Sequence, residues 1–168
     1  SSEFMDVEIF RDGYKYNIHF EHGENVGGLQ KEETRLKKTG TKTRWRPDLE
    51  VFTDISIEKD YFLDILKKQA VVNPNIKFIF RYQDEIGNFE ETVFLYENGI
   101  SDYVAEIVGS DNLTSIQTWS AERKGKDRED KPEYKVKLNV SVTFSNKVKF
   151  AEYYHNSSFL EYGGSPEK

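Results

Sequence analysis

The stretch VEIFRDGYKYNIHF, Val7 to Phe20, sets two runs of apolar and aromatic residues on either side of Asp12-Gly13. Asp and Gly both tolerate the positive φ that a two-residue hairpin turn demands, so the stretch reads as two antiparallel strands joined by a tight turn. With the helices read further along, it points to an α+β fold.

Alternation extends the β reading. Tyr134, Val136, Leu138, Val140, Val142 and Phe144 recur at period two, with Lys135, Lys137, Asn139, Ser141 and Thr143 between them. That spacing predicts a long strand with one face on a core and one face wet. Ile76, Phe78, Phe80 and Tyr82 alternate likewise. A turn-like Asp84–Asn88 stretch then leads into a run around Thr92 to Tyr96, which predicts a second hairpin.

Two short helices interrupt the strands. The first follows Ser56 as N-cap, with Glu58 and Asp60 at its positive end, Lys67 and Lys68 at its negative end, and a stripe of Phe62, Ile65, Leu66 and Ala70. Asn73-Pro74 stops it. The second begins near Ser101, carries Val104, Ile107 and Val108 on one side, and stops at Gly109. Residues 23–38 and Glu122–Glu133 mix glycine and charge without an apolar period, so both read as solvated loops.

The 168 residues hold 24 Lys+Arg against 30 Asp+Glu, a net charge of −6, and no cysteine. Disulfides, thiolate nucleophiles, zinc knuckles and iron–sulfur clusters are excluded together. No apolar run approaches the roughly 20 residues that span a bilayer, and SSEFMDVEIF has no signal-peptide pattern, so a cytoplasmic protein without a membrane partner is expected. The acidic balance opposes nucleic-acid binding driven by overall charge.

The side chains that could carry chemistry assemble no active site by themselves. His19 and His22, three apart on a strand, point to opposite faces with no carboxylate placed to complete a metal shell. His155 is isolated, and no Ser or Cys signature completes a triad. Asp84-Glu85 and Glu90-Glu91 read as solvated turn residues. Gly27-Gly28 lacks the Lys-Ser/Thr of a phosphate-binding loop, and Gly163-Gly164 reads as a turn. Lys135, Lys137, Lys147 and Lys149 read as a wet sheet face rather than a phosphate-binding strip. No catalytic and no metal-ligating residue is assigned.

The order of motifs adds what spacing does not. FRDGYKYNIHFEHG, a charged loop, and KKTGTKTRWRPDLEVF resemble the end of the GHKL-type ATPase domain in bacterial type II topoisomerase B subunits, DNA gyrase above all. Thr39, Gly40, Thr41, Pro47, Asp48, Glu50 and Phe52 fill the family pattern, with Trp45 where Phe is usual. The segment from Ile57 to Gln83 is similar to the first helix and strand of the family's transducer domain. FLYENGISDYVAEI carries Phe94, Tyr96, Gly99, Ile100, Tyr103 and Val104 of a further motif, with Asn98 replacing a Gly. YYHNSSFLEYGGS resembles the strand before a family Gly-Gly-Thr/Ser-His, with Pro166 in place of His.

The resemblance implies residues 1–55 as closing strands of the ATPase domain and 56–168 as part of a β-α-β layered transducer domain, like the second domain of a ribosomal small-subunit protein. It implies an ATP-dependent parent that uses Mg2+ and works with a gyrase A-type subunit and DNA. Arg11 matches an Arg at the rim of the ATP pocket, where aminocoumarin inhibitors also bind, and Thr41 matches a Thr under the adenine. The family's magnesium, adenine and γ-phosphate ligands have no counterpart in these 168 residues, so the piece alone is expected to be inactive and without bound nucleotide. A monomer, or a weak dimer through strand edges, is expected. A topoisomerase IV B subunit and a stand-alone α+β binding module stay open as alternatives.

Overall fold

A computed structural model describes residues 1–162, so Gly163-Gly164 and Pro166 lie outside the described residues. The backbone forms two compact units, Ser1–Ile57 and a second that starts at Glu58.

The first unit is one sheet. Strands β1 (Ser2–Arg11), β2 (Tyr14–Glu21), β3 (Glu24–Glu33) and β4 (Gly40–Pro47) lie in the order β3-β2-β1-β4, every neighbour antiparallel. The predicted turn is present: Asp12 and Gly13 sit at φ 54° and 78°, and Arg11 pairs with Tyr14. The same device recurs at His22 and Gly23, φ 47° and 89°, where β2 turns into β3.

That second turn corrects the reading of residues 23–38 as a loop. Ten of those residues form β3, an edge strand whose side chains are all exposed. A strand that buries nothing needs no apolar period, so pattern analysis has nothing to find there. Gly27 and Gly28, at φ 83° and 70°, take up a register shift in the β2–β3 ladder.

The second unit runs α1 (Lys59–Val72), β5 (Phe78–Gln83), β6 (Phe89–Phe94), α2 (Ile100–Val108), β7 (Gln117–Gly125), β8 (Tyr134–Val142), β9 (Tyr154–His155) and β10 (Ser158–Phe159). The α+β class holds. Among the described residues these strands pair as three antiparallel hairpins.

Helix α1 differs from its reading at both ends. It starts at Lys59 with no side-chain cap; Ser56 lies two residues before the cap position, Glu58, and its N–H is bound by Asp54 Oδ1 at 2.8 Å. Its last turn holds no basic residue; Lys67 and Lys68 sit one turn earlier, bonded to Glu106 and Asp64. Helix α2 ends as read, at Gly109. Strand β7 reaches Gly125, so Glu122–Gly125 is strand rather than loop.

Strand β8 keeps its alternation but not its expected core. Val136, Leu138 and Val142 are 50%, 46% and 43% exposed, since the sheet they belong to has two strands. The core lies elsewhere: Ala70, Val71, Tyr96 and Tyr103 are buried, with Phe78, Phe94, Ile100, Ile107 and Tyr154 against them. Each buried tyrosine has an acceptor. Tyr96 donates to Glu106 at 2.6 Å and Tyr103 to Glu152 at 3.5 Å, and the part-buried Tyr154 also donates to Glu152, at 2.6 Å. Burial, with the Glu152 and Glu106 carboxylates nearby, pushes the Tyr103 hydroxyl up to about 12.

Gly99 starts α2 at φ 58°, and a Cβ there would lie 3.1 Å from the Val71 carbonyl oxygen. Only glycine meets both conditions without strain. Gly99→Ala is expected to destabilise the chain by about 1–3 kcal/mol, and Val71→Ala, at the fully buried core position, by about 2 kcal/mol. Urea unfolding of both beside Ile86→Ala, whose side chain is 86% exposed, checks the ranking; the last is expected within about 0.5 kcal/mol of the parent.

Candidate functional site

Thr41 and Arg11 are far apart in sequence, and the register of the sheet brings them together. Thr41 pairs with Ile9 across the β1–β4 ladder, and Arg11 stands two residues beyond Ile9 on β1. With a period of two, Ile9, Arg11 and Thr41 share one face. Val7 and Thr43, paired one step along, continue it, as do Tyr14, Tyr16 and Ile18 from β2. The face is therefore an apolar and aromatic bed with a hydroxyl and a guanidinium near one end. The Arg11 side chain is 75% exposed and pairs with Asp12 at 3.3 Å. Lys31 lies 3.9 Å from the Tyr14 ring centre. Val7, Ile9 and Thr43 were missed by motif reading; the signal for them is the register, which sequence spacing does not carry.

The opposite face is charged. Asp6, Glu8, Asn17, His19, Gln30, Lys42 and Arg44 line a groove of about 350 Å³ there. Its acids are engaged. Glu8 pairs with Lys15 at 2.9 Å, and the Lys15 ammonium holds the Glu8 carboxyl below its ordinary value. His19 Nδ1 lies 2.6 Å from Asp6 Oδ1, and its Nε2 lies 3.2 Å from Glu21 Oε1. Carboxylates therefore flank His19, which the sequence reading did not place there. The two hydrogen bonds, Asp6 first, push the His19 imidazole above its ordinary value, and they occupy both ring nitrogens. Among the described residues no group of three His, Cys, Asp or Glu could hold a metal ion.

His22 sits in the β2–β3 turn rather than on a strand, and its Nδ1 is 2.9 Å from Asp48 Oδ2. Asp48 is 7% exposed, and its Oδ1 accepts the Glu50 N–H at 2.8 Å. The Glu50 amide, then His22, hold the Asp48 carboxyl below its ordinary value.

The remaining candidates are structural. Asp84 closes its turn by accepting the N–H groups of Ile86 and Asn88. Glu90 and Glu91 pair with Lys59 and Arg81. Lys135 and Lys137 flank Glu122, and Lys147 pairs with Asp111 at 2.6 Å. Tyr96, Gly99 and Tyr103, quoted above from a family motif, are core and helix-start positions.

No family model matches the chain. The B subunit of DNA topoisomerase 4 from Escherichia coli (strain K12) is 38% identical over 108 residues, which is 64% of this chain and 17% of that protein. The protein of the same name from Staphylococcus aureus (strain MW2) is 28% identical over 151 residues, 88% of this chain and 23% of that protein. The chain thus spans about a fifth of the length of these curated relatives.

Solved structures agree. The 43K ATPase domain of Thermus thermophilus gyrase B, in complex with an aminocoumarin, superposes with a TM-score of 0.58 at 29% identity, over 76% of this chain and 34% of that one. The topoisomerase IV ATP binding domain of Francisella tularensis, in complex with a small-molecule inhibitor, gives 0.54 at 25% identity, over 74% and 36%. The fold is thus of the gyrase B ATPase-domain class. In sequence and structure the chain is similar to part of the B subunits of type II topoisomerases.

Two opposed pH effects follow from the sheet. The His19 value is raised, so its contribution to stability is full below the unfolded value of about 6.5 and fades as pH rises through the folded one. The Asp48 value is lowered, so its contribution is full above the unfolded value of about 3.8 and fades as pH falls through the folded one. In urea midpoints measured from pH 3 to pH 9, His19→Gln is expected to remove a fall on the alkaline side, and Asp48→Asn a fall on the acid side.

Proposed function

We propose that the chain is a segment of a gyrase-type B subunit in which ATP binding and hydrolysis drive passage of one DNA duplex through another. Residues 1–55 would be the closing strands of the ATPase domain, and residues 56–168 part of the transducer domain that relays the nucleotide state. An A-type subunit and DNA are the partners of the whole subunit, ATP and Mg2+ its cofactors, and the cytoplasm its compartment.

The observation that carries the reading is the shared face of Thr41 and Arg11, in a chain whose relatives include ATP-binding domains of this class. The residues fit part of a nucleotide site. Val7 and Ile9 offer an apolar bed on which a planar base can lie, Thr41 places a hydroxyl beside it, and Arg11 at the rim offers an exposed guanidinium to an anionic group. When bound, ATP supplies the phosphoanhydride whose hydrolysis drives the conformational cycle. Among the described residues no acidic cluster suits Mg2+, so the proposal assigns metal binding to other parts of the subunit.

Thr41→Ala in the intact subunit is expected to raise the KM for ATP about fivefold, the weight of one hydrogen bond near 1 kcal/mol, with a smaller change in kcat. The 168-residue chain assayed alone is expected to show no turnover. ATP hydrolysis by the chain alone, or an unchanged KM in Thr41→Ala, overturns the reading.

A further inference from the structure

Strand β4 carries Thr41, yet little in its own ladder fixes its alignment. It is an edge strand with one neighbour, β1, and its side chains from Gly40 to Arg46 are exposed, so burial does not specify register. Its far end is weaker still. The β1–β4 register shifts between Ser2 and Phe4, leaving Glu3 bulged opposite the ladder, and Pro47 has no N–H to donate. A slip of one residue would turn Thr41 to the charged face and bring Lys42 to the apolar one. Asp6 and Glu8 stand opposite Arg44 and Lys42, but they are already held by His19 and Lys15.

The alignment is held beyond the ladder. The bulged Glu3 carbonyl accepts the His22 N–H at 3.0 Å, and Ser1 O accepts the Asp48 N–H at 3.2 Å. Glu3 also reaches Arg46 at 3.3 Å. The His22–Asp48 contact then closes the ring, from the β2–β3 turn, past the start of β1, to the residue after β4. Strands β2 and β4 are not neighbours, and this contact ties them past the end of β1. Asp48 is buried, and its acceptor atoms are spent on His22 and Glu50. Loss of the imidazole would leave a buried carboxylate oxygen short of a partner.

We propose that His22 and Asp48 form a register lock that positions β4, and with it Thr41, from outside the strand ladder. The positioning of β4 stands on geometry alone; its consequence for nucleotide binding rests on the function proposed above. Hydrogen exchange by mass spectrometry on the 168-residue chain tests the lock. In Asp48→Ala, amides of residues 40–47 are expected to exchange about tenfold faster, the range of a local opening, while the β1–β2 hairpin keeps its protection. His22→Ala should match it. His22→Asn, which keeps an amide donor and tolerates the left-handed backbone, should restore protection. Unchanged β4 protection in both alanine variants, or equal loss from all four strands, overturns the proposal. Should Asp48→Ala fail to fold, the His22→Ala and His22→Asn pair decides alone. In the intact subunit, Asp48→Ala combined with Thr41→Ala should raise the KM for ATP no further than Thr41→Ala does. If Thr41→Ala itself has no effect while β4 loosens, the nucleotide reading fails and the lock stands.

Discussion

Strand β1 is bonded along both edges, to β2 and to β4, and its alternation imposes itself on everything alongside it. Met5, Val7 and Ile9 meet Phe20, Ile18 and Tyr16 on one face, while Asp6 and Glu8 meet His19 and Asn17 on the other. The edge strand β4 inherits the division: Thr41, Thr43 and Trp45 pair on the apolar side, and Lys42 and Arg44 on the charged side. Because the period is two, no intermediate arrangement exists. A residue of β4 is on the side of the aromatic bed or on the side of the ion pairs, and the alignment of one strand decides which.

The parts of this arrangement visible in the sequence are those with local causes. Asp12-Gly13 announced its turn because two adjacent residues must take positive φ, and Gly109 ended α2 for a similar reason. His22-Gly23 makes the same turn, but histidine is a less common occupant of it and the strand that follows buries nothing, so β3 read as a loop. Ser56 looks like a cap because serine favours that role, yet the helix begins three residues later, with Glu58 at the cap position and no side-chain cap bond. The shared face of Thr41 and Arg11 had no local cause at all. It depends on a pairing across some thirty residues of chain, which motif order implied and only the register showed.

The second unit shows the complementary limit. Alternation along β8 predicted an apolar face and was correct about the face, but periodicity says only that a side is apolar, never that something covers it. What is buried sits instead where helix and hairpin meet, and there the polar atoms are accounted for. Tyr96 and Lys67 both bond Glu106. Burial pushes that carboxyl up, and the two hydrogen bonds outweigh it, so the group stays below its ordinary value. A half-buried acid with a lysine and a tyrosine on it is tied to its place, which suits a packing role better than proton transfer.

The same sidedness bears on what these strands could contribute to the function proposed above. Asp6 and Glu8 point away from Thr41, and each is paired on its own face. No shift of a rotamer carries a β1 carboxylate through the sheet, since the backbone separates the two faces. Arg11 and Thr41 offer a cation and a hydroxyl on the other face, which Glu33, opposite Tyr14, shares. On the function proposed above, Thr41 and Arg11 would seat and orient a ligand rather than activate water. The division of the sheet gives the first unit one apolar and aromatic face and one charged face.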